Sequence, residues 1–300
     1  MANIPLKAAL TLVLMLAAPL HSHAQAPAST LDHIVETGTL RIGYSPDAAP
    51  FSYLDADGRV IGYSIDLCMQ VARSLRAQLG MDKLDIAYVR RTPVDRVTLL
   101  QNGSIDIECV ASTNTAERRK SVAFSYPHFI TAVSFVALRD GGPRVLADLE
   151  GRTVASTSGT TVIAEINALS REQNLNIALT PTLDHETGFS LMASGRVSAF
   201  VMDDILLANL VANADDPGLY QLSEDAVGQP EPYGLMMRHD DLAFRNTVNA
   251  ILHDLFTGGE ILPIYQKWFN APIAPNGVNL QLPMSDLLKT AFAVPTVVED

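Results

Sequence analysis

The stretch Glu108 to Pro127, ECVASTNTAERRKSVAFSYP, leaves an apolar run at Val110 and enters a small polar one, Ala111-Ser112-Thr113-Asn114-Thr115. It then turns basic at Arg118-Arg119-Lys120. A guanidinium is a rigid fork of donors that matches a carboxylate, so Arg118 is a candidate anion clamp. Thr113 and the backbone from Ala111 onward supply hydroxyl and carbonyl partners beside it. The simpler reading is a solvated basic turn whose ion pairs contribute little. Ser156 to Thr161, STSGTT, follows an apolar run and opens a helical pattern, placing Thr157, Ser158 and Thr161 at a helix N-terminus. Such an end attracts anions through its free N–H groups, although a Ser/Thr cap has the same composition.

Asp203, in Phe200 to Asp204 (FVMDD), sits at the carboxyl end of a predicted strand, where a carboxylate can hold an ammonium group. Its competing role is to cap the next helix, a task open to Asp204 as well. His185, in DHETGF, lies at a helix start, where a capping or exposed histidine is the plainer reading. Arg96, in VDRVTLL, reads most simply as a surface charge on an amphipathic helix. Taken together these residues are complementary to a zwitterion: guanidinium and helix-end amides for a carboxylate, an aspartate with oxygen partners for an ammonium. No nucleophile–base pair, P-loop, Gly-x-Ser-x-Gly elbow or paired metal-binding histidines appear. No cofactor is implied, and two cysteines are too few for a thiolate metal site.

The elements that position these residues alternate. Thr39–Tyr44 reads as a strand, Asp57-Gly58 as the turn of a hairpin, and Ser64 to Leu79 as a helix with Ile65, Cys68, Val71, Ala72, Leu75 and Leu79 on one face. A strand at Leu84–Val89, a helix from Pro93 to Asn102 and a strand at Ser104–Val110 follow. A second series starts near Asp148: strand Thr153–Ser156, helix from Thr160, strand Asn176–Thr180, helix Asp184–Ser194 and strand Ser198–Asp204. One further strand and two amphipathic helices follow, with a return toward the first series, and from about Met284 the chain reads as an extended or fraying tail. This order predicts an α/β protein of two mainly parallel sheets flanked by helices, with ligand held in a cleft beyond the strands' carboxyl ends. Cys68 and Cys109 both fall on apolar faces, and two separate buried thiols is the plain expectation, with pairing open in an oxidising compartment.

The 300 residues carry a net charge of -12 and 48% hydrophobic side chains. That supports a folded core and argues against nucleic acid as a partner. Lys7, the apolar run Ala8 to Leu20 and Ser22-x-Ala24 read as a secretory signal cut after Ala24. No later run approaches the ~20 apolar residues of a membrane span, so the mature chain is expected to be exported and soluble.

An ordered set of motifs resembles the periplasmic solute-binding proteins of polar amino-acid ABC transporters (bacterial extracellular solute-binding protein family 3), most of all their glutamate/aspartate branch. The motifs are PFSYLDADGRVIGYSIDL, LLQNGSIDIEC, STNTAERRKSVAFSYP, LEGRTVASTSGTT, SGRVSAFVMDD and YQKWF, running from about Leu31 to Leu282. The resemblance implies a type II two-lobed binding-protein fold. Lobe 1 would hold residues 25–130 and 233–283, lobe 2 residues 131–232, and a tail residues 284–300, with crossings near Phe129–Val133 and Glu231–Leu235. It implies a monomer that binds an amino acid in the periplasm and delivers it to a permease in the inner membrane. Carried over by position, Arg118 clamps the α-carboxylate with Thr113 and Ala111, Thr157, Ser158 and Thr161 add helix-end contacts, Asp203 holds the α-ammonium, and Arg96 and His185 meet the side-chain carboxylate. Two positions depart: Ser45 stands where the branch has an arginine, and Pro93 where it has a serine, with Arg90 and Arg91 near enough in sequence to compensate. Glutamine, asparagine or another small carboxylate is therefore an alternative ligand. A cyclohexadienyl-dehydratase-like enzyme is a rival on the same scaffold, with Glu108 or Glu165 as general acid, and a receptor-coupled sensor module is a third reading.

Overall fold

The computed structural model describes residues 29–298, so the expected signal segment and its cleavage point lie outside the described residues. In chain order the first part comprises α1 (Thr30–Thr37), β1 (Thr39–Tyr44), β2 (Asp47–Ala48), β3 (Ser52–Leu54), β4 (Val60–Ile61), α2 (Tyr63–Gln78), β5 (Asp85–Arg90), α3 (Arg96–Gln101), β6 (Ile107–Glu108), α4 (Ala116–Arg119) and β7 (Val122–Phe124). After β8 (Phe129–Thr131) come β9 (Val133–Leu138), β10 (Thr153–Thr157), α5 (Val162–Glu172), β11 (Ala178–Thr182), α6 (His185–Ala193), β12 (Ala199–Asp203), α7 (Asp204–Ala212) and β13 (Tyr220–Leu222). The chain returns through β14 (Glu231–Tyr233) and ends with β15 (Met236–Arg238), α8 (Leu242–Thr257), α9 (Ile261–Phe269) and α10 (Asp286–Ala293).

Two five-stranded sheets result, ordered β5-β1-β6-β15-β7 and β11-β10-β12-β9-β13. Each sheet is mixed, with four of its five strands running in one direction and one reversed. In the first, β1 runs parallel to β5 and β6, but β15 is antiparallel to β6 and β7. In the second, β10 is parallel to β11 and β12, but β9 is antiparallel to β12 and β13. The reason is the crossing. A strand that enters a sheet directly from the other lobe, without a helical crossover, arrives with reversed direction.

The two crossings themselves, β8 and β14, pair antiparallel, with Phe129 opposite Tyr233 and Thr131 opposite Glu231. They are packed into an aromatic cluster. Phe51 meets Phe129 at 4.9 Å and Tyr233 at 5.2 Å between ring centroids, and Phe129 stacks on Phe269 at 5.0 Å. The YQKWF segment is anchored by the same logic: Trp268 Nε1 donates to Asp66 at 2.7 Å, tying α9 to the start of α2.

Three sequence expectations are overturned here. Cys68 and Cys109 are bonded to each other, with their Cα atoms 6.4 Å apart, because the buried face of α2 lies over the end of β6. The segment after Met284 is not extended. Ser285 caps α10 by accepting from Leu288 N, and Leu288 and Phe292 are buried, with Phe292 against Phe256 at 4.5 Å. The helix beginning at Pro93 is shorter than its pattern suggests. Asp95 accepts from Thr92 N at 2.7 Å, forming a turn that delays α3 to Arg96.

Candidate functional site

The carboxyl ends of β1 and β6 face those of β10 and β12 across a cleft. Arg118 leaves the first turn of α4, whose N-cap Thr115 accepts from Arg118 N. Its guanidinium turns back, Nη1 donating to the carbonyl of Thr113 at 2.8 Å and Nη2 to that of Gly159, on the other lobe, at 3.4 Å. Arg96 is 4% exposed, so the surface-charge reading of it is wrong: a helix of six residues is too short to show its buried face in the pattern. Arg96 donates to Ser112 Oγ at 3.2 Å and to the same Gly159 carbonyl at 3.0 Å. One backbone oxygen from the second lobe therefore sits between two guanidinium groups of the first. Burial, with each other's charge and that of Arg91, lowers the pKa of Arg96 well below its usual value, and burial lowers that of Arg118 as well.

Gly159 can approach this closely because it lacks a Cβ. A Cβ there would lie 2.6 Å from the carbonyl oxygen of Pro93, and its φ of +79° is left-handed. Pro93, one of the two departures from the expected pattern, is thus a floor against which the second lobe rests.

Beneath the arginines, Arg91 and Glu108 form an ion pair at 2.7 Å, both almost fully buried, and Ser112 Oγ donates to Glu108 at 2.7 Å. Glu108 is committed to that network and holds no free oxygen for acid catalysis. Arg91 also lines a cavity of about 580 Å³ together with Ser45, Asp47, Pro93, Thr157 and His185. Arg90 stands exposed at its rim. Ser45 carries no charge into this cavity: its hydroxyl donates to Asp47 Oδ1 at 2.8 Å, and Asp47 Oδ2 accepts from His185 N at 3.1 Å, a second bond between the lobes. His185 is buried, not exposed, and Nδ1 shares a hydrogen bond with Thr157 Oγ1 at 2.9 Å. Burial lowers the His185 pKa despite the opposing pull of Asp47, so the ring is neutral at pH 7.

On the second lobe, Thr161 stands at the N-cap of α5 without a side-chain capping bond, and Ser158 N donates to Thr182 O at 2.9 Å. Asp203 stands at the N-cap of α7, also without a capping bond. The neighbouring Asp204 takes the structural role, accepting from Ile205 N, from Thr131 Oγ1 at 2.7 Å and from Ala132 N. Asp203 is 3% exposed; Oδ2 accepts from the Tyr233 hydroxyl, while Oδ1 accepts no hydrogen bond. Burial pushes its carboxyl up to about 7, with Glu231 and Asp204 adding repulsion and Tyr233 and Arg118 opposing.

Glu231 and Tyr233 were not singled out in the sequence, and both face this site. Burial, with the charge of Glu165, raises Glu231 to about 7, against Arg118 and a hydrogen bond from Thr113. No spacing in EPYG marks Glu231 as half-buried at the cleft; only the pairing of β14 with β8 places it there. Ala111 contributes a small, half-buried surface beside Thr113 and no side-chain polar group. Among the described residues, no group of three metal-ligating side chains is assembled, and no helix is long and apolar enough to cross a membrane.

The family model for bacterial extracellular solute-binding proteins, family 3, matches residues 40–271. An L-glutamate/L-aspartate-binding protein of Pseudomonas aeruginosa is 37% identical over 271 residues, covering 89% of this chain and 88% of that protein. A glutamate/aspartate import solute-binding protein of Escherichia coli is 35% identical over 275 residues, covering 91% and 90%. Among solved structures, the ancestral amino acid-binding protein AncCDT-1, a precursor of cyclohexadienyl dehydratase, superposes with a TM-score of 0.70 at 29% identity, covering 81% of this chain and 100% of that one. A mutant of ArgBP from T. maritima superposes with a TM-score of 0.70 at 28% identity, covering 79% and 98%.

Proposed function

The chain belongs to the bacterial extracellular solute-binding proteins, family 3, and from that premise we propose that it captures glutamate or aspartate in the periplasm and hands it to an ABC permease. The observation that carries this reading is the meeting of Arg96 and Arg118 on one oxygen across the cleft, with Asp203 facing them. A ligand carboxylate replaces the Gly159 carbonyl as the acceptor of Arg118, because a charged oxygen makes the stronger bond. The α-ammonium lies against Asp203. The side-chain carboxylate enters the cavity lined by Arg91 and His185. Thr113 and Ala111 form the wall on the first lobe, and Thr157, Ser158 and Thr161 that on the second.

Capture proceeds by closure. Contacts made by both lobes only in the closed form give the ligand its differential affinity for that form. The monomer, so closed, presents the surface that a permease reads. No step of this scheme requires a cofactor. The glutamate/aspartate relatives argue for the acidic ligands over the amides, and Arg91 supplies the cation that Ser45 does not.

Calorimetric titration of ligand-stripped protein against glutamate, aspartate, glutamine and asparagine tests the reading. Expected is a Kd in the micromolar range or below for the two acids, about -8 kcal/mol. Arg118→Ala should weaken it by at least ~100-fold, as truncating one partner of a desolvated charge pair does. Tight binding of an amide alone would move the specificity and keep the clamp. The dehydratase reading predicts turnover of a cyclohexadienyl carboxylate, with Glu165 as its acid because Glu108 is bound to Arg91; no turnover is expected, and turnover lost in Glu165→Gln would favour that rival.

A further inference from the structure

Three carboxylates converge where the ligand's ammonium would lie: Asp203 from the end of β12, Glu231 from β14 and Glu165 from the first turn of α5. Each has one buried oxygen that accepts no hydrogen bond: Asp203 Oδ1, Glu231 Oε2 and Glu165 Oε2. Each feels another of the three as a like charge. Asp203 is buried and the two glutamates half-buried, and an acidic cluster so withdrawn from water is costly unless something cationic meets it. The groups facing it are Arg118, the Tyr233 hydroxyl on Asp203, the Thr113 hydroxyl on Glu231, and Asp204, which is tied to Thr131. Arg118 is already directed at the carbonyls of Thr113 and Gly159. The chain also makes room for the third carboxylate. A Cβ at Gly228 would fall on Oε1 of Glu165, so glycine there is the condition for Glu165 to reach inward.

We propose that Glu165 and Glu231 join Asp203 as a three-carboxylate socket for a primary ammonium group, and that this socket, more than the cationic end of the cleft, selects amino acids over plain dicarboxylates. The stoichiometry fits: an ammonium has three N–H donors, and the socket offers three unpartnered oxygens. Burial first, and repulsion after it, hold the empty socket partly protonated. An ammonium discharges that repulsion, whereas a ligand without one leaves it in place. The inference rests on the glutamate/aspartate reading and sharpens it.

The test compares L-glutamate with glutarate, the same dicarboxylate lacking the ammonium, by calorimetry on the full mature chain. Wild type should prefer glutamate by at least ~100-fold. Glu165→Gln and Glu231→Gln should each shrink that preference by at least tenfold. Gly228→Ala, which displaces Glu165 without removing its charge, should reproduce the Glu165→Gln result. Folded variants with the wild-type preference would overturn the socket and leave the proposed function standing. Wild type binding neither acid would overturn the function, and the socket with it.

Discussion

At the scale of single residues, the decisive fact is which polar atoms are already committed. Glu108, Asp204 and Ser45 look as available in the sequence as Asp203 and Arg118, yet each is spent on a bond inside the protein. Asp203 keeps an oxygen free. His128 is a different case: it lies buried among Phe51, Tyr63 and Tyr233, and burial brings its pKa down to about 3. The unfolded chain takes up a proton at this residue below about 6.5, and the folded chain does not until about 3. Stability contributed by a neutral His128 is therefore lost as pH falls from about 6.5 toward 3. His128→Leu should remove that slope. Denaturant unfolding at pH 7.5 and pH 5 should show the variant losing about 2 kcal/mol less than wild type over that interval; equal losses would count against a neutral buried ring. The sequence marked Arg118 and Asp203 because strand ends and polar clusters are local features. It did not mark Glu231 or the burial of Arg96, since both depend on a strand or lobe far away in the chain.

At the scale of elements, two contacts carry most of the consequence. Gly159, between β10 and α5, rests on the turn before α3. Gly159→Ala should prop the lobes apart, because the obstructing atom belongs to the Pro93 backbone and cannot swing aside. Expected are at least ~10-fold weaker glutamate binding and a larger radius of gyration with ligand by small-angle scattering. An unchanged radius and affinity would mean the contact does not limit closure. The second contact is the bond between Cys68 and Cys109, which closes a loop across a sequence separation of 41. Serine at both positions should cost about 2–4 kcal/mol of unfolding free energy, measured by urea titration. Neither contact is readable from periodicity. The apolar faces of Cys68 and Cys109 say only that both are inside, and the direction of β9 and β15 follows from crossings that no local pattern encodes.

At the scale of the whole molecule, the cleft and its charge make stability and ligand binding move in opposite directions with pH. Asp203 and Glu231, raised to about 7, hold protons in the folded, unliganded chain that the unfolded chain has released at about 4. The stability they contribute is fully present below about pH 4 and lost as pH rises through about 7. Ammonium binding requires them ionised, so glutamate affinity should rise across the same window. Melting curves with and without glutamate at pH 5.5 and pH 8 check this: the ligand-induced increase in Tm should be larger at pH 8. A shift independent of pH would separate the carboxylates from the ligand. The two-lobed plan was legible because alternating strands and helices recur in two series. The C-terminal helix α10 was not, because eight residues with two buried apolar positions make a weak signal until α8 is there to receive them.

The shared carbonyl of Gly159 has a further meaning for the cell. It makes the chain its own competitor, held at fixed stoichiometry and never diluted. Any solute must outbid that internal oxygen, so intrinsic affinity is discounted by the fraction of molecules in which the contact is made. The strength of one backbone contact thereby enters the apparent affinity for every solute the cleft accepts.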